Sequence, residues 1–340
     1  MTLDRLALIS DVHGNLTALE AVLDDIASRG ITRVLGLGDA IGKGPRGSAV
    51  VDRLQEVCEV CVRGNWEDFL PVMQDPSPEF AWWLADLRPD QRVWVRSLPL
   101  SHDLLLSGRR VRLLHASARS VYSKLFFRDV REGFDGMFAT TELTGDGPTP
   151  DVVVYGDVHD AFVRTSRGRT LINVGSVGNP LDEPVPSYVV LEGVADSPDR
   201  GPFSVQVVRV PYDVEAEIAV AHALGMPQVG PWEVELRTGV YRGLQASVAP
   251  AEQVPDPHVR LEAYGRALFS RLTDDTNLTV RVLPDGLGVC VVHAVRGGGT
   301  IFVAHDRSVL YVASSMDFER GLAAFRSGSR TPREKFDVTR

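Results

Sequence analysis

Apolar positions follow two rhythms in the first sixty residues. Leu6–Ser10, Val34–Gly38 and Val57–Val62 are short apolar runs of strand length. Between the first two, Leu16, Leu19, Val22, Leu23 and Ile26 recur at helical spacing, which predicts a helix over Leu16–Ser28. A second helix is predicted over Gly47–Glu56. The order β-α-β-α-β predicts an α/β fold, with a mostly parallel sheet covered by helices. Residues 69–100 read as helical pieces broken by five prolines and carrying Trp82, Trp83 and Trp94. Aromatics of this kind usually serve packing, so an insertion glued to the body is favoured over a cap on a site.

From residue 102 the pattern turns to strands: His102–Leu106, Val111–Leu114, Val152–Tyr155, Ala161–Ser166, Thr170–Val174, Ser187–Glu192 and Ser204–Val210. A helix is predicted over Val214–Leu224. The proline-rich stretch 247–257 predicts a linker between a first domain, 1–246, and a small α+β domain, 258–327. The second domain is predicted to hold one helix, four strands and a final helix. Residues 328–340 read as a loose tail.

The chain's unusual polar residues fall just past predicted strands. Asp11 and His13 follow the first, Asp39 the second and Asn65 the third. His115 follows Val111–Leu114, and Asp157 and His159 follow Val152–Tyr155. In open α/β sheets that edge is where ligands bind. Carboxylate and amide oxygens with neutral imidazoles suit Mn, Fe or Zn, and a carboxylate-rich set leans to Mn or Mg. Seven donors are too many for one ion and fit two that share a bridging Asp. Two ions about 3.5–4 Å apart clamp a phosphoryl group and lower the pKa of a bound water.

The order of these motifs resembles the calcineurin-like metallophosphoesterase family, in the form of its small bacterial phosphodiesterase branch. The resemblance rests on Asp11-Val12-His13-Gly14-Asn15, Gly38-Asp39 continuing to Pro45, Arg63-Gly64-Asn65, His115, Gly156-Asp157-Val158-His159, and the loop Asn173–Pro180. It covers roughly residues 5–245 and implies a four-layer α-β-β-α sandwich. It assigns Asp11, His13, His159 and a bridging Asp39 to one divalent ion, and Asp39, Asn65, His115 and Asp157 to the other. Mn is favoured, with Fe, Zn and Mg compatible, and Asn65 and His115 are the residues carried over as catalytic. The implied activity is hydrolysis of a phosphoester, a diester rather than a monoester, by attack of a metal-bridging hydroxide.

Two positions depart from the family pattern. Trp66 stands where a histidine often donates a proton to the leaving group, a role worth about 10²–10⁴-fold that Trp cannot fill. Asp157 stands where a histidine is usual. Three carboxylates against two divalent ions leave a net charge of about +1 rather than +2, which weakens attraction for phosphate. These departures and the appended domain keep a second reading in view, a protein-binding scaffold on the same fold. Lys43 and Arg46 follow the second motif and are candidates to meet a phosphate or to lie on a solvated loop.

Composition narrows the field. Of 340 residues, 44% are hydrophobic and 24% charged, and the net charge is -9, a balance that argues against holding duplex nucleic acid. A small phosphoester, a nucleotide among the compatible ones, is the expected partner, and the small domain suggests substrate restriction or self-association. The first residues lack a signal peptide's pattern, no apolar run is long enough to cross a bilayer, and three cysteines suit a reducing compartment, so a cytoplasmic protein is expected. Cys58 and Cys61 lie on one predicted strand, where positions three apart face opposite ways, so core roles are expected rather than a metal pair.

Overall fold

The computed structural model describes residues 3–245, 258–273, 277–295 and 297–336. They form two compact units, 1–239 and 240–340, dividing a few residues before the predicted boundary. The predicted linker, 247–257, lies outside the described residues.

The first unit runs β1 (Asp4–Ile9), α1 (Leu16–Ser28), β2 (Arg33–Gly36), α2 (Gly47–Val57), β3 (Cys58–Cys61), α3 (Asn65–Phe69), α4 (Pro78–Asp86), α5 (Pro89–Ser97), β4 (Ser101–Leu106), β5 (Arg109–Leu114), α6 (Val130–Met137), β6 (Val152–Tyr155), β7 (Ala161–Ser166), β8 (Arg169–Val174), β9 (Ser187–Gly193), β10 (Ser204–Arg209), α7 (Val214–Ala223) and α8 (Val229–Thr238). Two five-stranded sheets result, ordered β10-β9-β1-β2-β3 and β4-β5-β6-β8-β7. Strands β1, β2 and β3 run parallel, as do β5, β6 and β8.

Strand alternation makes the layers. Leu6 and Leu8 of β1, with Leu35, point into a core shared with Val111, Leu113, Val152, Val154 and Ile172 of the other sheet. Ala7 and Ile9 point the other way, onto α1 and α2 and the Trp83 side of α4. On the outer face of the second sheet, Val153, Tyr155 and Leu171 pack on Phe134 and Met137 of α6. Helices, sheet, sheet and helix make the expected α-β-β-α sandwich. The segment with the tryptophans is helical and packs on the body, with one link to the second motif: Trp83 Nε1 donates to Gly44 O at 3.1 Å.

One expectation fails for a local reason. The β2–β3 register pairs Val34 with Cys58 but Leu35 with Val60, so Glu59 forms a bulge. The extra residue reverses the strand's parity. Cys58 and Cys61 therefore meet on one side, where a hydrogen bond with Cys61 and then burial hold the Cys58 thiol well above its ordinary pKa. Both are free thiols packed in the helix-side core.

The second unit holds α9 (Val259–Phe269), β11 (Leu278–Val282), β12 (Val289–His293), β13 (Gly299–Val303), β14 (Val309–Ala313) and α10 (Phe318–Arg326). The four strands form one antiparallel sheet in sequence order, with α9 residues in the core on one face and α10 residues on the other. The predicted loose tail is held as far as Phe336. Thr331 N donates to Val309 O at 2.8 Å, and the Phe336 ring is buried against the α9 face. Among the described residues no helix is long and apolar enough to cross a membrane.

Arg112 of β5 is fully buried and held in a two-pronged pair by Asp103 of β4, with Nε–Oδ1 at 2.8 Å and Nη2–Oδ2 at 3.0 Å. Removing one partner leaves a buried charge uncompensated. Asp103→Ala should lower stability by about 3 kcal/mol in urea unfolding; a loss under about 0.5 kcal/mol would show that Arg112 finds another partner.

Candidate metal centre

The seven polar residues predicted at strand ends meet at one edge where the two sheets face each other. His13 Nε2 lies 3.6 Å from Asp11 Oδ1 and 3.5 Å from Asp39 Oδ2. His159 Nε2 lies 3.2 Å from Asp11 Oδ1 and 3.3 Å from His13 Nε2. His115 Nε2 lies 3.4 Å from Asp39 Oδ1, 3.8 Å from Asp157 Oδ1 and 2.9 Å from Asn65 Oδ1. Asp39 thus turns one oxygen to His13 and the other to His115, as a bridging carboxylate would. Two groupings have donor atoms close enough to share an ion: Asp11, His13 and His159, and Asp11, Asp39 and His115. Asp11 therefore reaches both groups as well, and Asp157 falls in neither.

The backbone at these positions is strained in a regular way. Asp11, His13, Asp39, Asp157 and His159 all have positive φ, between 47° and 63°. Side chains other than glycine rarely adopt this conformation, and such strain gathers at functional sites. Asp11-Val12-His13 and Asp157-Val158-His159 repeat both the sequence and the φ pattern, one at the end of β1 and one at the end of β6. Neighbouring loops hold the turns. In the Asn173–Pro180 loop, Val177 N and Gly178 N donate to Ser10 O and Asp11 O at 2.9 Å, and Ser176 Oγ donates to Asp11 O at 2.7 Å. Gly64 lets the third motif lie against Asp39, since a Cβ there would overlap the Asp39 carboxylate and backbone.

Each histidine has its tautomer fixed. The Nδ1 atoms of His13, His115 and His159 face the carbonyl oxygens of Ile41, Leu37 and Asn179. A carbonyl only accepts, so Nδ1 carries the proton and all three Nε2 lone pairs point into the cluster, which is how imidazole ligates a metal. Asn65 Oδ1 faces acceptors, His115 Nε2 and the Asp39 carboxylate; with the amide turned over, its nitrogen would lie 3.0 and 3.3 Å from the Asp39 oxygens. The oxygen-inward arrangement is favourable with a cation among these groups. Asp157 Oδ2 is buried without a hydrogen bond. Donors held about 2.1 Å from one ion sit roughly 3–3.5 Å from each other, the spacing found here. The residues therefore fit divalent cations.

The electrostatics agree. Burial opposes charge at His115, yet Asp39, Asp11 and Asp157 push its imidazole up to about 10, so without an ion Nε2 holds a proton that a divalent cation would displace to use the lone pair. Burial also opposes ionisation of Asp11 and Asp39, but the neighbouring histidines hold both carboxyls below the usual range. Burial and the Lys43 ammonium push His13 down. Burial, with Lys124 adding repulsion, brings Lys43 down to about 8.

Several residues around the cluster carried weaker sequence signals or none. Glu67 is fully buried and accepts from the backbone N–H groups of Asp39, Ala40 and Gly64, each at 2.8 Å. Burial first, then the Asp39 charge, raises its carboxyl to about 7. Trp66 N donates to Asp39 Oδ1 at 2.9 Å. The Trp66 ring lies on Gly42, edge-on to His13 at 5.9 Å and packed among Phe69, Phe80 and Trp83. Arg46, a quarter exposed, turns Nη2 to buried Glu217 of α7 and to Thr17 Oγ1. Glu235 of α8 accepts from Asn179 Nδ2 at 3.3 Å, behind His159. Glu217 and Glu235 are buried with Ile218 and Leu236 of their helices, but an acid beside an apolar residue is ordinary in an amphipathic helix, so no sequence signal marks them.

Residues 5–196 match the calcineurin-like phosphoesterase superfamily domain, a span that holds all seven residues and more than half of the chain. The chain is 27% identical to an uncharacterized protein of Methanocaldococcus jannaschii over 241 residues, 63% of this chain and 90% of that one. It is 31% identical to the phosphodiesterase YfcE of Escherichia coli over 128 residues, 35% of this chain and 67% of YfcE. Its fold is similar to that of a metallophosphoesterase from Sphaerobacter thermophilus, with a TM-score of 0.54 at 24% identity, over 70% of this chain and 99% of that one. The chain belongs to the calcineurin-like phosphoesterase superfamily, within reach of its small bacterial phosphodiesterase branch.

Proposed function

We propose that this protein is a metal-dependent phosphoric ester hydrolase that favours diesters and works with two divalent ions, Mn foremost. The observation that carries the reading is the convergence of three Nε2 lone pairs and three buried carboxylates on one point between the sheets. In this reading Asp11, His13 and His159 hold one ion, Asn65, His115 and Asp157 hold the other, and Asp39 serves both. When bound, the ions would neutralise charge on the phosphoryl oxygens and lower the pKa of water. Glu67 fixes the turn that aims Asp39, by accepting three backbone N–H groups at once. On the Asp157 side Asn65 would also orient the substrate, while His115 acts by holding the ion. The Trp66 ring makes an apolar wall beside His13 and has no proton to give at catalytic pH. Diesters with good leaving groups need least protonation, and this supports the diester preference. The substrate is read as a small phosphoester, nucleotides included, in a cytoplasmic setting, with the second unit restricting substrate or joining copies of the chain.

Metal-stripped protein incubated with an activated aryl phosphodiester and the matching monoester should cleave the diester faster when Mn is restored, and Asp39→Ala should reduce this to background. Preference for the monoester would remove the role given to Trp66. No turnover with Mn, Mg or Zn would favour a binding scaffold. Glu67→Gln should lower Mn affinity by about 10- to 100-fold in a metal titration, with an unchanged circular dichroism spectrum. Unchanged affinity would show that Asp39 is aimed without Glu67.

A further inference from the structure

Two ammonium groups reach the cluster from opposite ends, and neither has a place in the ligand set. Lys43 follows β2 in the second motif. It is half-buried, has φ 58°, and brings Nζ to 3.2 Å from His159 Nε2, on the Asp11–His13–His159 side. Lys124 comes from the segment between β5 and α6. Its side chain is 49% exposed, yet Nζ reaches 3.3 Å from Oδ1 of Asp157, whose side chain is 2% exposed. Lys124 therefore points inward from the solvent side, at the carboxylate that replaces the usual histidine. Arg46, from the same loop as Lys43, instead turns Nη2 to Glu217 and Thr17.

The charges explain why two lysines would be useful here. Asp157 removes about one unit of positive charge from a loaded centre, by counting ionised ligands. A phosphoryl group is drawn to such a centre by net positive charge, and fixed cations at the rim of a low-dielectric cleft raise the local concentration of an anion. An ammonium is a compact point charge with three donors and can move from a carboxylate or imidazole onto a phosphate oxygen without matching a planar fork.

We propose that Lys43 and Lys124 form an anion clamp across the cluster, taking non-bridging oxygens of a phosphoryl group from its two ends and restoring the positive charge that Asp157 removes. The proposal rests on the phosphoesterase reading and names the positioning residues for that same site. Lys124 bound only to Asp157 would be a structural ion pair. The two roles differ in whether phosphate affinity depends on the lysine.

The probe is inorganic orthophosphate, titrated calorimetrically into the full-length Mn-loaded protein, with metal content measured on the same samples. Lys43→Met should weaken orthophosphate binding by about 10-fold or more, in line with hydrogen bonds to charged groups, and Lys124→Met by a smaller factor of about 5 to 10, since solvent screens its half-exposed ammonium. Lys124→Arg should recover most of the loss, and metal content should stay at the wild-type level in both Lys124 variants. Because Lys124 is half exposed, its variants can be read even if Lys43→Met folds poorly. Wild-type affinity in Lys124→Met, loss of metal in that variant, or no orthophosphate binding by the wild type would each overturn the clamp. Lysine-dependent orthophosphate binding without ester cleavage would sink the hydrolase reading and leave the clamp standing. Diester cleavage with lysine-independent orthophosphate affinity would do the reverse.

Discussion

Four carboxylates are buried within one small region of this protein: Asp11, Asp39, Glu67 and Asp157, none more than 3% exposed. Moving such groups out of water costs several kcal/mol each unless partners offset it, and their mutual repulsion adds to the cost. The surroundings are organised around that problem. Asp11 accepts from Asp157 N at 2.9 Å, Asp39 from Trp66 N, Glu67 from a ring of backbone N–H groups, and Asp157 faces Lys124. What these contacts leave over is a field that favours positive charge, strong enough to push His115 up to about 10. A site with this field and three Nε2 lone pairs suits divalent cations.

The sandwich is what makes the arrangement possible. Two copies of the same three residues, Asp-Val-His, end β1 and β6, and their left-handed turns face each other across the junction of the sheets. In each copy the buried valine, Val12 or Val158, anchors the turn in a core on its own side. Turns of this kind cost of order 1–3 kcal/mol per residue and persist where surrounding contacts over-determine them. The Asn173–Pro180 loop supplies several of those contacts to Ser10 and Asp11.

The α/β elements and the gathering of polar residues at strand ends could be read from short-range rules, whereas the four-layer sandwich came from the family resemblance. Apolar runs of strand length marked the strands and helical spacing the helices, and the polar residues that broke the pattern stood at strand ends. What could not be read depended on geometry those rules omit. The Glu59 bulge reversed the facing of Cys58 and Cys61. Lys124 lies in an irregular segment with no period to place it. Glu217 and Glu235 look like ordinary helix acids in the sequence, and α8 itself has a helical pattern interrupted by Gly230 and Pro231 and was not anticipated. Phe336 anchors a tail whose composition is otherwise polar.

The account stands on the claim that this cluster holds two ions with Asp39 between them. Anomalous diffraction from a crystal soaked in Mn²⁺ tests it directly. The account predicts two peaks about 3.5–4 Å apart, one beside His13 and His159 and one beside His115, with a different Asp39 oxygen facing each. A single peak with Asp39 turned away, or no peak within the cluster, would contradict it.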